Sequence, residues 1–446
     1  MSMSNHPKAY GTAAVAIAFL SGILLTLGFK DLYPDLERRY QRRRGQPASR
    51  ADSRPGSTYL PFPPVRLEDH TRSARQSIVG PPPLPIPVGI EGCIGDTPLF
   101  QIKSLSEATG CIILAKAEFL NGAGGSPKDR VALNMISTAE EAGLLTPGQG
   151  DTIYEGTVGS TGISLATLAR AKGYKAYICM PNDQSTEKSD LLHHLGATVE
   201  RVTPAPITST EHFVNLARTR ALEHAASAKD GSKGFFADQF ESLANYRAHF
   251  QTTGPEIYAQ TGGQIDAFVA GAGTGGTISG ISLYLKQEMG MGESLKVVLA
   301  DPEGSGLYNK VKHGVMFSNT EKEGTRRRQQ VDTIVEGIGI NRLTENFEAG
   351  RELIDDAVKV TDLQALKMAR WLVEKDGIFV GSSSAVNCVA VVVTALRMPK
   401  ESRIVTILCD SGTRHLSKFW KKVGEMGLEE SEQTDLLGLL GIEDER

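Results

Sequence analysis

The sequence of 446 residues contains few cysteines, and their spacing gives no structural motif. They are odd in number, widely separated, and include no C-x-x-C pair. The five are Cys93, Cys111, Cys179, Cys388 and Cys409. This pattern argues against a disulfide framework and against a structural zinc site. Asn-x-Ser/Thr sequons are also absent, and both absences favour a compartment that faces reducing cytosol or the mitochondrion.

The chain also lacks an excess of positive charge, because its formal net charge is −4. A nucleic-acid partner is therefore not predicted, since a basic footprint is its usual sign. The adjacent His193 and His194 have no Cys, Asp or Glu at clear ligand spacing, so we expect a helix surface pair and no metal site. Cys179 and Cys409 lie in apolar runs, and we expect both to be core thiols.

Residues 10–29 carry no charge, and a helix of that length could cross a bilayer core of roughly 30 Å. A cleaved signal peptide is the alternative, but the apolar run is long and the stronger positive charge follows it. We therefore predict a single-pass anchor within residues 1–44, with the folded body on the cytosolic side. The pattern suits the mitochondrial outer membrane, although charge alone does not separate it from the endoplasmic reticulum. Clustered prolines in residues 45–87 predict a stiff linker.

From about residue 110 onward, short β-branched runs alternate with helical stretches. This alternation predicts an α/β fold built on parallel sheets, whose strands are buried on both faces. The strand candidates are CIILAKAEF, DTIYEGT, KAYICMP, TVERVTP, DAFVAGAG, KVVLADP and RIVTILCDS. The folded body should occupy residues 88–425. Residues 426–446 are predicted to be an acidic, solvated tail with at most a small packed segment.

One strand candidate runs directly into a glycine-rich loop, DAFVAGAGTGGTISG, at residues 266–280. Closely spaced glycines before a helix allow backbone N–H groups to bind a phosphate. A P-loop is excluded because no lysine follows the glycines. A dinucleotide fingerprint fits Gly271, Gly273 and Gly276, with Asp301 as a late ribose acid. The phosphate of a smaller cofactor needs only the short loop, so the loop alone leaves the ligand open.

Several motifs occur in a fixed order along the chain. They are GDTPL (95–99), GSPKDR (125–130), TVGSTG (157–162), DQFESLANYRAHFQTTGPEI (238–257), GTGGT (273–277) and DGIFVGSSSA (376–385). From about Gly89 to Ser417 the chain resembles the cysteine synthase and cystathionine β-synthase family of fold-type II pyridoxal-phosphate enzymes. With its apolar N-terminal segment and proline-rich linker, it is most similar to fungal, mitochondrially targeted members. The resemblance decides the glycine loop in favour of pyridoxal 5'-phosphate.

The resemblance implies a tryptophan synthase β-like fold of two domains, with a smaller mobile one at about 130–235, and a homodimer. It implies L-cysteine synthesis from O-acetyl-L-serine and sulfide through an aminoacrylate intermediate. Lys128 would be the catalytic residue that forms the internal Schiff base. The remaining cofactor-binding residues would be Ser160, Gly273, Thr274, Gly275, Gly276, Thr277 and Ser383. The substrate-binding residues would be Thr157, Val158, Gly159, Ser160, Thr161 and Gln239.

The chain departs from the family at the substrate loop, which usually reads T-S-G-N-T-G. Val158 replaces a serine there, and Ser160 replaces the asparagine. The family's GIGAG stretch appears as residues 337–341, GIGIN, and Gly122 resembles a one-residue insertion. These departures leave two alternatives open: a cystathionine β-synthase-like reaction with homocysteine, or a membrane-tethered homologue with low activity or a regulatory role.

Overall fold

A computed structural model describes residues 86–183, 186–316, 333–426 and 435–444. The anchor predicted at residues 10–29 lies outside these ranges, as does almost all of the linker predicted at residues 45–87. Within the described ranges, none of the helices combines the length and apolar character needed to cross a bilayer. The anchor therefore remains a sequence-based prediction.

The strands of the described chain alternate with helices from Leu99 onward. In chain order they are β1 (Leu99–Gln101), β2 (Ile112–Ala117), β3 (Thr152–Gly156), β4 (Lys175–Pro181), β5 (Thr198–Val202), β6 (Gly234–Phe236), β7 (Ala267–Gly271), β8 (Lys296–Pro302), β9 (Asp356–Val360) and β10 (Arg403–Leu408). Each of the seven strand candidates contains one of these strands. The sequence patterns missed β1 and β6, which have three residues each, and β9, whose apolar run is interrupted by Lys359.

The strands form two sheets, which confirms the prediction of an α/β fold centred on parallel sheets. The larger sheet has the order β1-β2-β10-β7-β8-β9, and the smaller has the order β5-β4-β3-β6. Neighbouring strands in these orders pair in parallel, except that β1 pairs with β2 antiparallel. The smaller sheet is built from residues 152–236, within and just beyond the range predicted for a mobile subdomain. Its mobility stays a prediction.

The α-helices cover the sheets and connect their strands. They are α1 (Lys103–Thr109), α2 (Lys128–Glu141), α3 (Ser160–Lys172), α4 (Thr186–His194), α5 (Phe213–Ser227), α6 (Ala244–Ala248), α7 (Gly254–Thr261), α8 (Gly276–Ser282), α9 (Leu307–His313), α10 (Glu345–Glu348), α11 (Asp362–Asp376), α12 (Ser382–Ala395), α13 (Lys421–Glu425) and α14 (Leu436–Leu440).

Local sequence explains where several of these helices begin and end. Pro127 precedes the first residue of α2, and proline is well suited to a helix start because its φ is already helical. Helix α3 ends at Gly173, whose φ of 79° is left-handed and favours glycine. Helix α11 begins with a capping box in which Thr361 and Gln364 satisfy each other's backbone N–H groups.

The larger sheet packs against α12, whose side chains are almost all buried. Its sequence, SSSAVNCVAVVVTA, is apolar around the whole helix, as expected for a helix enclosed by protein. The short helix α14 adds Leu436, Leu439 and Leu440 to the same core. The predicted tail therefore contains a packed segment.

The carboxyl ends of β3, β7 and β10 lead into the segments that carry the predicted site. Strand β3 runs into residues 157–162, β7 into residues 272–277, and β10 into residues 409–415. Ligands of parallel α/β sheets bind at such strand ends. The fold thus gathers motifs that are more than 250 residues apart in the sequence.

Candidate active site

A cavity of about 380 Å³ lies where these segments meet. Most predicted site residues line it: Lys128, Thr157, Val158, Gly159, Ser160, Thr161, Gln239, Gly273, Thr274, Gly275, Thr277 and Ser383. Gly276 does not line the cavity, because it is buried against the side chain of Asn245. The volume is within the range of small-molecule sites.

Lys128 lies in the first turn of α2, and the next residue, Asp129, holds this turn in place. The Asp129 carboxylate accepts hydrogen bonds from the backbone N–H groups of Gly124, at 2.7 Å, and Gly125, at 2.8 Å. It also accepts one from the Ser164 hydroxyl, at 2.6 Å. Because Ser164 belongs to α3, Asp129 ties the lysine turn to the helix that follows the TVGSTG segment.

Arg130, the next residue, anchors the same turn in a buried charge cluster. Its guanidinium contacts Glu118 at 2.8 Å and Glu256 at 2.5 Å. Lys116 contacts Glu256 at 2.6 Å, so two cations are balanced by two carboxylates. The two carboxylates hold the pKa of Arg130 above its usual range despite its burial. Removing one partner would leave an uncompensated buried charge. The cluster therefore fixes the position of the turn that carries Lys128.

The Lys128 side chain is partly accessible from the cavity. Burial by surrounding protein lowers the pKa of Lys128, while Cys409 and Asp410 act in the opposite direction. Among the described residues, its Nζ makes no hydrogen bond or ion pair that would hold it in the charged form. A lowered pKa increases the fraction of neutral amine, which is the form that attacks an aldehyde or accepts a proton.

The glycine loop is built by close backbone packing. A Cβ atom on Gly273 would lie 2.4 Å from the Gly337 carbonyl oxygen, and one on Gly276 would lie 2.0 Å from Asn245 Oδ1. Gly275 has a left-handed φ of 85° and lies against the backbone of Phe347. A larger residue would clash at these positions, so no side chain separates the backbone of Gly273 and Gly275 from the cavity that they line.

Buried partners orient the two threonine hydroxyls of this loop. Thr274 Oγ1 accepts a hydrogen bond from Asn245 Nδ2 at 2.9 Å. Thr277 Oγ1 lies 3.1 Å from His249 Nε2, and His249 Nδ1 lies 2.9 Å from Thr253 Oγ1. Burial, assisted by the charge of Lys128, lowers the pKa of His249 well below its usual value, so this imidazole is neutral. The loop therefore offers hydroxyl and backbone donors of fixed orientation.

Ser383 lies at the start of α12 and is buried at the cavity wall. Its hydroxyl interacts with the thiol of Cys409. Burial is the main cause that raises the pKa of Cys409 to about 12, so this thiol is neutral. Cys409 packs against the core, as expected, but it is only partly buried, because it directly follows β10 and also lines the cavity. Cys179, in contrast, is fully buried, as expected.

The substrate-loop residues form a short hydrogen-bonded chain. The Thr161 hydroxyl donates to Gln239 Oε1 at 2.6 Å, and Gln239 Nε2 donates to Glu155 Oε1 at 3.3 Å. Burial, aided by Asp238, raises the pKa of Glu155 to about 8. Val158 packs against the apolar cluster that contains Phe213. Its replacement of serine is therefore explained by packing.

Sequence reasoning missed several polar residues that line the cavity. They are Glu336, Asn387, Asp410, Arg414 and His415. Asn387 joins two strands by accepting from the Gly271 N–H and donating to the Ile407 carbonyl, each at 2.8 Å. The segment after β10 could have been found, because polar residues after a parallel strand point to a ligand site. Glu336 lies in an irregular segment that carries no such signal.

The donor set fits pyridoxal phosphate. A lysine amine with a lowered pKa can bind an aldehyde, a side-chain-free glycine loop can accept a phosphate, and a serine hydroxyl can meet a pyridine nitrogen. The three groups line a single cavity. Thus the fold and the site have the features of a pyridoxal-phosphate dependent enzyme.

Comparison with known proteins supports a site for pyridoxal phosphate. The family of pyridoxal-phosphate dependent enzymes matches residues 90–410, and the chain belongs to this family. It is 69% identical to cysteine synthase 2 of Neurospora crassa, over 100% of this chain and 99% of that protein. It is 54% identical to a Saccharomyces cerevisiae protein named as a candidate mitochondrial cysteine synthase, over 76% and 85% of the two chains.

A solved structure of an O-acetylserine dependent cystathionine β-synthase from Helicobacter pylori has the same fold. It superposes with a TM-score of 0.61 at 32% identity, over 75% of this chain and 99% of that one. The fold-type II architecture inferred from the motif order is therefore confirmed.

Proposed function

We propose that this chain synthesises L-cysteine from O-acetyl-L-serine and sulfide with pyridoxal 5'-phosphate. The observation that carries the proposal is a single cavity lined by Lys128, the glycine loop and the TVGSTG segment. The high identity to cysteine synthase 2 over the whole chain supports it. The same comparison gives no support to the alternative of a homologue that has lost turnover.

The proposed roles follow from the chemistry of each group. Lys128 holds the cofactor, the loop at residues 273–277 holds its phosphate, and the Ser383 hydroxyl meets its pyridine nitrogen. When bound, the cofactor supplies an electron sink for the α-carbon of the amino acid. A neutral serine at the ring nitrogen limits that sink more than a carboxylate would, and this favours β-elimination over transamination.

The chain's own residues perform the proton transfer and the binding. Lys128 Nζ, once the substrate amine has replaced it on the cofactor, would remove the α-proton of the substrate in its neutral form. The bond from the β-carbon to the acetate oxygen then breaks, sulfide forms the new carbon–sulfur bond, and the proton returns to the α-carbon. The loop at residues 157–161, together with Gln239, binds the substrate carboxylate. Thr161 and Gln239 are adjacent in the cavity lining, where a 2.6 Å hydrogen bond joins their side chains.

Product analysis tests this proposal. Purified protein loaded with pyridoxal phosphate is mixed with O-acetyl-L-serine and sulfide, and cysteine is measured over time. Parallel reactions contain L-serine with homocysteine, and O-acetyl-L-serine with homocysteine. Cysteine formation faster than cystathionine formation supports the proposal. Cystathionine as the only product would instead favour the cystathionine β-synthase-like reaction. The likeness to the Helicobacter pylori structure is the reason for testing that alternative.

The proposed location is the mitochondrion, because a Saccharomyces cerevisiae relative carries that assignment in its name. We further propose that residues 10–29 anchor the chain in the outer membrane, with residues 88–425 in the cytosol. Fractionation of cells that express the full chain or a form lacking residues 1–30 tests the anchor. The full chain should sediment with membranes and the shortened form should not. Equal membrane association of both forms would contradict the anchor.

Two further proposals concern assembly and motion. The catalytic body forms a homodimer, and the subdomain at about residues 130–235 moves when substrate binds. Sedimentation velocity should give twice the mass of one chain. Hydrogen exchange in residues 130–235 should slow when substrate is added. A monomer, or exchange that substrate leaves unchanged, would contradict the respective proposal.

A further inference from the structure

Arg414 places a guanidinium in the cavity beside the substrate loop. It ends a short 3-10 helix, Gly412–Arg414, that follows β10. Its Nη1 lies 3.5 Å from the hydroxyl oxygen of Ser160, at the start of α3. That distance is long for a hydrogen bond, so Arg414 adjoins Ser160 without being held by it. Arg414 therefore reaches from the larger sheet to the loop of the smaller sheet.

Across the described part of the chain, Arg414 forms no ion pair. Arg130, Arg220 and Arg342 each contact a carboxylate within 3.0 Å. A guanidinium is always protonated and can only donate hydrogen bonds. Left unpaired in a ligand cavity, it is suited to a planar anion that can accept two parallel N–H bonds.

The nearby carboxylates are directed to other partners. Asp410 Oδ2 contacts His415 Nε2 at 3.0 Å. Asp410 Oδ1 is buried against Gly381, where an added Cβ would lie only 2.2 Å from it, and among the described residues it has no hydrogen-bond partner. Glu336 contacts Lys188 at 2.8 Å. The donors of Arg414 are thus not taken up by the acidic residues of the same cavity.

The other side of the guanidinium lies close to the lysine turn. A Cβ built on Gly125 would lie 3.5 Å from Arg414 Nη2. Gly125 precedes Lys128 by three residues, and Ser160 lies in the segment that follows β3. Arg414 therefore has one nitrogen near each of the two segments expected to enclose the amino-acid substrate.

We propose that Arg414 binds a carboxylate in this site and determines the preference for carboxylate-bearing ligands. The proposal deepens, and rests on, the proposed cysteine synthesis. The carboxylate comes either from the α-carboxyl group of the amino acid or from the acetate that leaves it. The role also accounts for Ser160: a short side chain leaves the guanidinium free to supply the donors that an asparagine amide would supply in the T-S-G-N-T-G loop.

Calorimetric titration of the cofactor-loaded full chain tests the proposal without turnover. Wild type, R414M and R414K are each titrated with L-serine, with L-serinamide and with acetate. L-Serinamide keeps the amine and the hydroxyl but replaces the carboxylate with a neutral amide. R403M is the matched control, because Arg403 begins the same strand that Arg414 follows and does not line the cavity. Circular dichroism and the visible cofactor band establish that each variant is folded and loaded.

If Arg414 binds the α-carboxylate, R414M should reduce the ratio of serine to serinamide affinity by about tenfold or more, the size expected for a charge-assisted hydrogen bond pair. If it binds the leaving acetate, R414M should weaken acetate by a similar factor and leave that ratio unchanged. R414K should lie between wild type and R414M, and it also provides the test if R414M does not fold. R403M should behave as wild type.

Unchanged serine, serinamide and acetate affinities in R414M would overturn the role of Arg414, as would a wild type that binds none of these carboxylates. Failure of the proposed cysteine synthesis would give a different result from failure of the role of Arg414. It would appear as wild-type protein that binds L-serine but forms no cysteine from O-acetyl-L-serine and sulfide.

Discussion

The two ends of the cavity are built on different physical principles. At the end expected to hold the cofactor, backbone packs on backbone, and a Cβ on Gly273 would lie 2.4 Å from a carbonyl oxygen. At the end expected to hold the amino acid, a Cβ on Gly159 would meet no atom within 4 Å. The cofactor end therefore tolerates almost no substitution, whereas the amino-acid end can accept different side chains and so change its ligand preference.

The largest expected effect comes from Lys128→Ala, which removes the reactive amine from the rigid end. The covalently held cofactor and the base for the α-proton are then lost together, so turnover should fall by about 10³-fold or more. Absorbance of dialysed protein and cysteine formation measure the two losses. Lys175→Ala, on the exposed face of β4, is the control and should keep both properties. A coloured, active Lys128→Ala protein would contradict the assignment.

The contrast between the ends is tested directly by Gly273→Ala and Gly159→Ala. Gly273→Ala forces a clash at the glycine loop, and we expect it to weaken cofactor binding by tenfold or more, equivalent to about 1.4 kcal/mol. Gly159→Ala should retain the cofactor and change mainly the KM for O-acetyl-L-serine. Fluorescence titration of the cofactor-free proteins with pyridoxal phosphate gives both affinities. Equal cofactor affinity in the two variants would remove the distinction between the ends.

His415 lines the cavity, and the pH dependence of stability tests whether its charged form stabilises the fold. Burial lowers the pKa of His415, but Asp410 and Glu336 outweigh it and raise the pKa to about 9. The charged form is favoured in the folded state, so its stabilisation is complete below about pH 6.5 and is lost as the pH rises through about 9. The shift corresponds to roughly 3 kcal/mol.

His415→Asn should therefore be less stable than wild type at pH 6, and the difference should shrink as the pH approaches 10. Denaturant unfolding of both proteins across this range measures it. Lys418→Ala, which removes an exposed cation 3.6 Å from Glu336, serves as the comparison and should change stability by less than about 1 kcal/mol. A stability difference that does not depend on pH would contradict the charged imidazole.

The smallest expected effect is that of Val158→Ser, which restores the family's serine to the adaptable end. Because Val158 packs against the cluster around Phe213, the change should cost about 1 kcal/mol of stability. It should alter kcat/KM for O-acetyl-L-serine by less than about threefold. Thermal unfolding and initial rates give the two numbers. A gain of tenfold or more in kcat/KM would show that a missing polar contact, and not packing, governs this position.

The same contrast explains which parts of the site the sequence predicted. Lys128, the glycine loop and Ser383 belong to short motifs whose order along the chain resembles that of the family, so the resemblance located them from the sequence alone. The position of Cys409 in the cavity lining was missed because the end of β10 is apolar until Leu408, and only the fold shows that the next residue turns into the cavity. Arg414 was missed, although it follows the parallel strand β10, and polar residues at such a strand end point to a ligand site.

The parallel strands other than β6 and β9 were predicted from their apolar sequences. A strand buried on both faces reads as an unbroken apolar run, as in KVVLADP, whose limits coincide with those of β8. The antiparallel β1 has only three residues and is held mainly by its pairing with β2. Pairing of this kind leaves little trace in the local sequence.

In the proposed reaction, one cavity first releases a β-substituent from O-acetyl-L-serine and then adds sulfide. Rapid mixing of the cofactor-loaded protein with O-acetyl-L-serine alone, followed by sulfide in a second mixing step, tests it most directly. We predict that the visible spectrum changes in the first step, with release of acetate, and returns to its starting form in the second step as cysteine appears. A spectrum that O-acetyl-L-serine leaves unchanged, or one that homocysteine but not sulfide restores, would contradict the account.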